Sequence, residues 1–172
     1  MNKKEIATKE DLLEVLNLLD RLKMRYWIEG GWGVDILIGR ETRTHRDIDV
    51  DFDAEFTEVL LDALKRKGFA ITTDWRPSRI ELHHPKLGYL DIHPLIINED
   101  GSARQADQHG GWYQLETQWF STALFEGRVI SCITAEAQKL FHSGYEFREV
   151  DRIDMKNLEL TESITNKGEN NE

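Results

Sequence analysis

The sequence predicts an α+β fold in which a β-sheet is flanked by helices. Apolar residues recur at helical spacing over residues 12–22, whereas carboxylates alternate with apolar residues over Asp47–Asp53. Two glycines, Gly30 and Gly31, lie between these patterns and open a short apolar helix. At 172 residues the chain is long enough for one domain with a sizeable core, which we expect over residues 1–165.

Glycines, a proline and capping residues divide the chain into short periodic segments. Thr8 is a predicted helix N-cap, and Gly39 and Gly68 are predicted to end helices. Val59 is expected to face the core, and Pro94 to limit strand pairing. In the first part of the chain we expect a helix to about residue 24, a strand over 26–29, a helix over 32–38, a strand over 47–53 and a helix over 56–67. Strands over 69–73, 79–83 and 89–93 are expected next, and then a loop and one short strand within 103–119. The chain is expected to end with a strand over 128–133, helices over 134–141 and 149–160, and a disordered tail over 166–172.

Composition excludes several classes of function. The 40% hydrophobic and 31% charged residues are typical of a soluble globular protein, and no apolar run is long enough to span a bilayer. The net charge of -10 argues against nucleic acid as the main partner, because binding a phosphate backbone needs a basic surface, and it suits a small cationic substrate. Cys132 is the only cysteine, so no internal disulfide is possible. Without an apolar signal segment, we expect a cytoplasmic protein with no membrane partner.

The alternating carboxylates indicate a metal site. Side chains on a strand point to opposite faces in turn, so Asp47 and Asp49 share one face, roughly 6.5–7 Å apart. Two negative charges roughly 4 Å apart repel by on the order of 4 kcal/mol at an effective dielectric of about 20, and a divalent ion removes this repulsion. Asp51 and Asp53 continue the row. The alternative interpretation is a solvated strand face at the edge of a sheet.

The glycine turn and the basic loop that follows favour the metal interpretation. Gly30 and Gly31 would let a phosphate approach the backbone N–H groups at the start of a helix. Arg43 in the loop is a candidate contact for a triphosphate, and so is Lys139 on a later helix; the alternative for both is a solvated side chain. A phosphate cradle beside a carboxylate metal site predicts the binding of a metal–nucleotide complex.

Two further groups of residues are candidates for the same site. Asp91 and His93 lie on one face of their predicted strand, and Asp91 becomes a third carboxylate of the site if that strand neighbours Asp47–Asp53. Trp112, Tyr113 and Trp119 are either packing residues or walls of a pocket for a bulky organic ligand, and this list completes the set of candidates drawn from the residues alone.

Four motifs in order resemble the short lincosamide nucleotidyltransferases, a branch of the nucleotidyltransferase superfamily related to DNA polymerase beta. The motifs are Trp27-Ile28-Glu29-Gly30-Gly31-Trp32-Gly33-Val34-Asp35, His45-Arg46-Asp47-Ile48-Asp49, Gly88-Tyr89-Leu90-Asp91-Ile92-His93-Pro94 and Phe141-His142-Ser143-Gly144-Tyr145. The similarity covers residues 26–158. Aminoglycoside 2″-adenylyltransferases share the first two motifs; they are the second choice, because we expect those enzymes to carry a larger helical C-terminal domain.

The resemblance implies a mixed sheet flanked by helices and an Mg²⁺-dependent enzyme. The reaction it implies moves a nucleoside monophosphate from ATP or another NTP to a hydroxyl of a lincosamide antibiotic and releases pyrophosphate. Asp47 and Asp49 would be the Mg²⁺ ligands, and Asp91 the third carboxylate ligand and the general base. Gly30 and Gly31 would approach the triphosphate.

Three hypotheses stay open beside this one. The acceptor could be an aminoglycoside. The chain could be an antitoxin or a binding module that acts on a protein partner, although such a module has no reason to keep three carboxylates together. A metal-dependent phosphohydrolase would release phosphate without an acceptor. Because the chain is short, a second subunit could complete the substrate pocket, which would make the protein a homodimer.

Overall fold

A computed structural model of the protein describes residues 2–142 and 148–169. The helices are α1 (Lys9–Arg21), α2 (Gly30–Ile38), α3 (Thr57–Lys67), α4 (Ala135–Phe141) and α5 (Glu149–Glu169). The strands are β1 (Tyr26–Glu29), β2 (Asp47–Asp53), β3 (Ala70–Trp75), β4 (Arg79–His84), β5 (Gly88–Ile97), β6 (Ala103–Ala106), β7 (Trp112–Leu115), β8 (Phe120–Phe125) and β9 (Arg128–Ile133). The predicted α+β fold with a mixed sheet is confirmed.

The strands of the described residues form a single mixed sheet in the order β3-β4-β5-β2-β1-β9-β8, and the hairpin β6–β7 joins it through β5. β2 runs parallel to β5 on one side and antiparallel to β1 on the other. β1 in turn runs parallel to β9. The carboxylate strand β2 is therefore central in the sheet and not at an edge, which removes the solvated-edge interpretation.

The helix ends follow the predicted capping chemistry. Thr8 caps α1 in a capping box: its hydroxyl accepts a hydrogen bond from the Asp11 backbone N–H at 3.3 Å, and the Asp11 carboxylate accepts one from the Thr8 N–H at 2.8 Å. Gly39 ends α2 in the left-handed conformation, with φ of 91°. Gly39 thus ends α2, the helix whose first turn lies against the carboxylates.

The sheet has one apolar and one polar face in its centre. Four apolar side chains from neighbouring strands are fully buried on the first face: Ile28, Val50, Ile92 and Ile80. The helices α1 and α3 contribute leucines to the same core, and each fully buried side chain of this kind stabilises the fold by roughly 1.5–3 kcal/mol. The opposite face carries the acids. Strand alternation over Asp47–Asp53 therefore separates core from site.

A second, smaller core closes one end of the polar face. Its buried members come from β5, β6, β7, β9 and α4 and from the turn before β8; they are Leu95, Ala103, Leu115, Trp119, Ile133 and Ala137. Trp27 and Phe141 pack against this cluster. The end of the face nearest to Asp51 is covered in this way, whereas Asp47 lies at the other end and retains 32% of its side-chain exposure.

Several element-level expectations are wrong, each for a stated reason. The strand expected over 89–93 continues through Pro94 to Ile97, because pairing with β6 begins at Leu95. Pairing with β4 does stop at Ile92, in agreement with the expected limit on pairing at Pro94. Val59 is 51% exposed and lies outside the inward-facing stripe of α3. Residues 103–119 form two paired strands and a short 3-10 turn. Helix α5 continues through Glu169, where the tail was expected; residues 170–172 lie outside the described part of the chain.

No helix in the part of the chain that the structure describes is both long and apolar enough to cross a membrane.

Candidate active site

The register of the sheet brings the three candidate carboxylates to one place. β2 and β5 are neighbours, and Asp49 lies directly opposite Asp91, with Asp47 opposite Tyr89. Because alternate residues share a face, Asp47, Asp49 and Asp91 all project from the polar face of the sheet. The strand of Asp91 is therefore a neighbour of Asp47–Asp53, which brings Asp91 to Asp47 and Asp49.

Glu29 on β1 and Glu81 on β4 extend this row of acids. Glu29 lies opposite Asp49, and Glu81 lies opposite Asp91, so a line across four strands reads Glu29, Asp49, Asp91, Glu81. His93 lies one step along, opposite Asp51. Glu29 is not among the predicted site residues, because it precedes the glycine turn and reads as part of a strand. The pairing of β1 with β2 is the signal that identifies it.

Gly30 lies in contact distance of the carboxylate row. Its φ of 62° is in the left-handed region, and a Cβ atom built on it would overlap Asp49 Oδ2 and lie 2.9 Å from Asp49 Cγ. A Cβ atom on Gly31 would overlap Arg43 Nη2 and would lie 2.5 Å from His45 Nδ1. Both glycines are therefore needed where the backbone of α2 meets the side chains of Asp49, Arg43 and His45. The approach of a triphosphate to these glycines stays a prediction.

A buried network anchors the loop between α2 and β2. The Asp35 carboxylate contacts His45 Nε2 at 2.6 Å and accepts hydrogen bonds from the Thr42 backbone N–H at 3.0 Å and from the Thr42 hydroxyl. The ring of Trp32 packs on His45, with 4.3 Å between the ring centroids. This network fixes the residues immediately before Asp47 and so sets where the carboxylate strand begins.

Two arginines neutralise acids of the row. Arg79 Nε lies 3.1 and 3.0 Å from the two Asp91 oxygens, and Nη2 donates to Asp91 Oδ2 at 2.6 Å. Arg46 Nη1 donates to Asp47 at 3.0 Å and to Glu81 at 3.3 Å. Neither arginine was predicted as a site residue. Arg46 was visible only as part of a basic loop, and Arg79 depends on the pairing of β4 with β5.

Burial raises the pKa values of Glu29, Asp47, Asp51 and Asp91 on this face. Burial and the charge of Asp49 raise the pKa of Asp47 to about 6. Burial alone accounts for most of the rise in the pKa of Asp51 to about 8. Burial also raises the pKa of Asp91, although His93 and Arg79 oppose the rise. The site is an environment in which a cation, or a proton, is held strongly.

His93 is the one imidazole among these acids. Burial lowers its pKa, but the carboxylates of Glu29, Asp49 and Asp91 more than reverse this, so that the pKa rises to about 9. Its Nε2 lies 3.2 Å from Glu29 Oε1, 3.7 Å from Asp49 Oδ1 and 3.9 Å from Asp91 Oδ1. The ligand-type atoms of Glu29, Asp49 and His93 all lie within 4.8 Å of one another. A group able to hold a metal ion is therefore present.

Arg43 and Lys139 are engaged away from the carboxylate row. Arg43 makes a two-point ion pair with the buried Asp154 of α5, at 2.7 and 2.8 Å, and also donates to the Thr44 carbonyl. Lys139 Nζ donates to Glu162 at 2.6 Å. Both basic side chains tie α5 to the rest of the fold, and their contact with a triphosphate stays a prediction.

The three predicted aromatic residues occupy different environments. Trp119 is 9% exposed and packs edge-on against Phe141, so it is a core residue. Trp112 is 42% exposed and lines a cavity of about 430 Å³ between the β3–β4 turn and the β6–β7 turn. Tyr113 is 58% exposed and lies opposite Gln105, whose amide contacts His93 at 3.3 Å.

One wall of the cavity, Trp75, lies next to Arg79. The cavity walls are Trp75, Arg76, Pro77, Ser78, Ala106, Asp107, Gln108, Gly110, Gly111 and Trp112. The Arg79 guanidinium lies 5.1 Å from the ring centroid of Trp75 while it binds Asp91. Arg79 therefore contacts both Asp91 and Trp75, one wall of the cavity.

Comparisons with known proteins agree with this geometry. A family model of aminoglycoside-2″-adenylyltransferases matches residues 11–158. The lincosamide resistance protein of Staphylococcus haemolyticus is 49% identical over 152 residues, which are 88% of this chain and 94% of that protein. A 2″-aminoglycoside nucleotidyltransferase of Klebsiella pneumoniae is 43% identical over 61 residues, which are 36% of this chain and 34% of that protein.

Among these solved structures, too, the lincosamide enzyme is more similar to this chain than the aminoglycoside enzyme is. A crystal structure of the lincosamide antibiotic adenylyltransferase LnuA with lincomycin bound has a TM-score of 0.84 and 48% identity, and the match covers 90% of this chain and 98% of that one. ANT(2″)-Ia in complex with adenylyl-2″-tobramycin has a TM-score of 0.67 at 19% identity, which shows the fold alone.

The coverage corrects one expectation about the aminoglycoside enzymes. The match to ANT(2″)-Ia spans 91% of this chain and 94% of that one, so that relative has no larger C-terminal domain. Of the motif Phe141-His142-Ser143-Gly144-Tyr145, residues 143–145 lie outside the described residues.

The family model covers most of the chain, and the carboxylates occupy neighbouring strands beside a glycine turn. The chain therefore belongs to the aminoglycoside-2″-adenylyltransferase family of nucleotidyltransferases.

Proposed function

We propose that this protein transfers a nucleoside monophosphate from a magnesium-bound NTP, with ATP as the expected donor, to a hydroxyl of a lincosamide antibiotic. The observation that carries the proposal is the convergence of Asp47, Asp49 and Asp91 beside Gly30. The 49% identity with a lincosamide resistance protein supports the acceptor class, because the match spans nearly all of both chains.

The acids at the exposed end of the row fit Mg²⁺. Mg²⁺ prefers oxygen ligands, keeps several waters and usually takes only one or two carboxylates together with substrate phosphates. Asp47 and Asp49 would hold the ion, with Asp91 as a third ligand. Burial, together with the neighbouring charge of Asp49, raises the pKa values of Asp47 and Asp91, and a cation would compensate that charge. When bound, the ion supplies neutralisation of charge on the transferred phosphoryl group and on the leaving pyrophosphate.

The chain's own groups then bind, orient and accept a proton. Backbone N–H groups at Gly30 and Gly31 would receive the triphosphate at the start of α2. Asp91 would accept the proton of the attacking hydroxyl, a role worth roughly 10²–10⁴-fold in rate. Arg79 holds the Asp91 carboxylate by both oxygens and so fixes the direction of its remaining lone pairs.

The acceptor would bind in the cavity on the far side of Arg79. Trp75 and Trp112 supply apolar walls for an organic molecule, and Arg79 and Asp91 lie where its reacting hydroxyl must come. The net charge of -10 favours a cationic antibiotic through long-range attraction. His93 and Tyr113 do not line this cavity, and their contact with the acceptor stays a prediction.

A mass-spectrometric screen tests the acceptor. The protein is incubated with Mg²⁺ and either ATP or GTP, and lincomycin, clindamycin and several aminoglycosides are tested in separate reactions. We expect a nucleoside monophosphate adduct on the lincosamides alone. An adduct on aminoglycosides alone would keep the chemistry and overturn the acceptor class. Bound Mg-nucleotide with no adduct on any antibiotic would instead favour a protein acceptor or a binding module.

The cytoplasmic location and a homodimer that completes the pocket also stay proposals. Sedimentation at assay concentration tests the second: a fully active monomer would contradict it.

A further inference from the structure

The inward-facing side of α5 carries a buried acid. Asp154 is 1% exposed, and Leu158, which lies four residues further along the same face of the helix, is 2% exposed. A charged side chain is almost never fully buried unless it has a partner of opposite charge. The partner of Asp154 is Arg43, whose Nε and Nη2 atoms donate to the two carboxylate oxygens at 2.7 and 2.8 Å. This two-point ion pair joins α5 to the loop before β2.

The guanidinium of Arg43 lies against the glycine turn. A Cβ atom on Gly31 would overlap Arg43 Nη2, whereas a Cβ atom on Gly30 would overlap Asp49 Oδ2. The turn is thus flanked by a guanidinium on one side and by the carboxylate row on the other. Arg43 also donates from Nη1 to the Thr44 carbonyl at 2.9 Å. Its bonds with the described residues use three of the five N–H donors of a guanidinium, so two remain for a ligand.

Stability alone is a poor explanation of this ion pair. The desolvation of a buried acid and its basic partner costs about as much as their attraction returns, so apolar side chains of similar volume often stabilise a fold as well or better. A guanidinium at the start of α2 also faces the positive end of the helix dipole, which disfavours a cation there. Asp154 offsets that repulsion. The pair therefore keeps a positive charge at a place where an incoming anion would meet it.

We propose that Asp154 is a positioning residue for nucleotide binding: it holds the Arg43 guanidinium at the glycine turn, where Arg43 meets the phosphates from the side opposite the carboxylate row. This role rests on the proposed function, because it requires that the phosphates bind at Gly30 and Gly31. It extends that function to α5, which contributes to nucleotide binding through an acid 111 residues away from Arg43 in the chain.

A positioning role has the opposite sign to a simple effect of charge. On charge alone, the removal of an acid near the glycine turn would strengthen the binding of phosphates. If Asp154 acts by holding Arg43, its removal weakens their binding instead, and it has no further effect once Arg43 is absent. A mere tether between α5 and the loop would change the free energy of unfolding and leave the ligand affinities of the folded chain unchanged.

Calorimetric titration of the whole chain measures the affinities for Mg-ATP, magnesium pyrophosphate and lincomycin separately. The variants are Asp154→Asn, which keeps the shape of the side chain without its charge, Arg43→Met, and the two combined. Asp20→Asn is the matched control: Asp20 holds Arg128 at 2.6 Å in an ion pair between α1 and β9. Asp20 also accepts a hydrogen bond from Tyr26, which lies at the end of β1 opposite to the glycine turn.

We expect Asp154→Asn to weaken the binding of Mg-ATP and of magnesium pyrophosphate by about tenfold each, which is the contribution of one well-placed hydrogen bond to a charged group. Lincomycin should keep its affinity, and Asp20→Asn should keep all three. In the Arg43→Met background, Asp154→Asn should no longer weaken the phosphate ligands. If Arg43→Met does not fold by itself, the sign and the ligand selectivity of the effect in Asp154→Asn still decide the question.

Three results would overturn this role and leave the proposed function standing. They are unchanged or tighter phosphate binding in folded Asp154→Asn, an equal loss of lincomycin affinity in that variant, and a further tenfold loss when Asp154→Asn is added to Arg43→Met. A wild-type chain that binds no Mg-ATP would overturn the proposed function together with this role.

Discussion

Substituting Gly30 by alanine tests whether the glycine turn positions Asp49. An L-residue in the left-handed region costs about 1–2 kcal/mol. The new Cβ atom would also overlap Asp49 Oδ2 and lie 2.9 Å from Asp49 Cγ. Ordinary carbon contacts are about 3.5 Å, so the carboxylate must withdraw by about 1 Å. A displacement of that size in a reacting group lowers turnover by about 100-fold.

Gly39→Ala is the matched control, because Gly39 lies at the other end of the same helix. Its φ of 91° imposes the same backbone cost, but an added Cβ meets only the Leu124 carbonyl, at an ordinary 3.7 Å. Alanine also reduces the conformational entropy of the unfolded chain, which offsets part of that cost. Gly39→Ala should therefore lose about 1 kcal/mol of stability, or about 2–4 °C in Tm, and keep its turnover.

The assay is single-turnover transfer to lincomycin, with thermal unfolding measured on both variants. Gly30→Ala should lose turnover far beyond Gly39→Ala at a similar or moderately lower Tm. If the two variants have similar turnover, Gly30 does not position Asp49 and the close approach has no catalytic role.

Four other predictions concern single residues of the site and of the loop before it. Asp91→Asn should lower kcat by roughly 10²–10⁴-fold and leave Mg-nucleotide affinity intact, because the base is lost and two metal ligands remain; calorimetry showing lost nucleotide binding would make Asp91 mainly a metal ligand. Asp35→Ala orphans donors on Thr42 and His45 and should cost about 3 kcal/mol, or about 6–12 °C in Tm. Asp62→Ala is the control, because Asp62 pairs with Arg66 on an exposed helix surface, and it should change stability by less than about 0.5 kcal/mol. Equal Tm values for Asp35→Ala and Asp62→Ala would contradict the anchoring role of Asp35. In the metal-free protein Asp51 binds its proton more tightly when folded, so stability should fall as pH rises from its ordinary pKa of 3.8 to about 8. Asp51→Asn should flatten that slope and raise Tm at alkaline pH, and a wild-type slope in the variant would refute the assignment. Lys139→Ala should raise the nucleotide KM if this lysine leaves Glu162 to bind the triphosphate; an unchanged KM removes it from the site.

Sequence patterns predict most of the fold where local chemistry decides it. Thr8 begins a helix because its hydroxyl caps the free backbone N–H groups. Gly39 and Gly68 end helices because glycine adopts the left-handed conformation without steric cost. The alternation over Asp47–Asp53 separates the two faces of the sheet without any knowledge of the neighbouring strands. The end of β5 is not predicted in this way. The strand continues past Pro94 because pairing with β6 begins at Leu95 after pairing with β4 has stopped at Ile92, which is long-range information.

The residues of the site likewise differ in whether local sequence patterns predict them. Asp47 and Asp49 can be recognised from spacing along one strand, and Asp91 from its own strand and a family motif. Glu29 and Arg79 come to the site only through strand pairing, which the sequence of one element does not encode. Arg43 was predicted from its position in a basic loop, yet a buried acid 111 residues away, Asp154, accepts its hydrogen bonds.

The most direct test of the central claim measures pyrophosphate and modified lincomycin in the same reaction. With Mg²⁺ and ATP, the account predicts one pyrophosphate for each molecule of adenylylated lincomycin, and neither product when lincomycin is omitted or when Asp47→Asn replaces the wild type. Release of phosphate or pyrophosphate without an acceptor, or normal turnover in Asp47→Asn, would contradict the assignment of these carboxylates to nucleotidyl transfer.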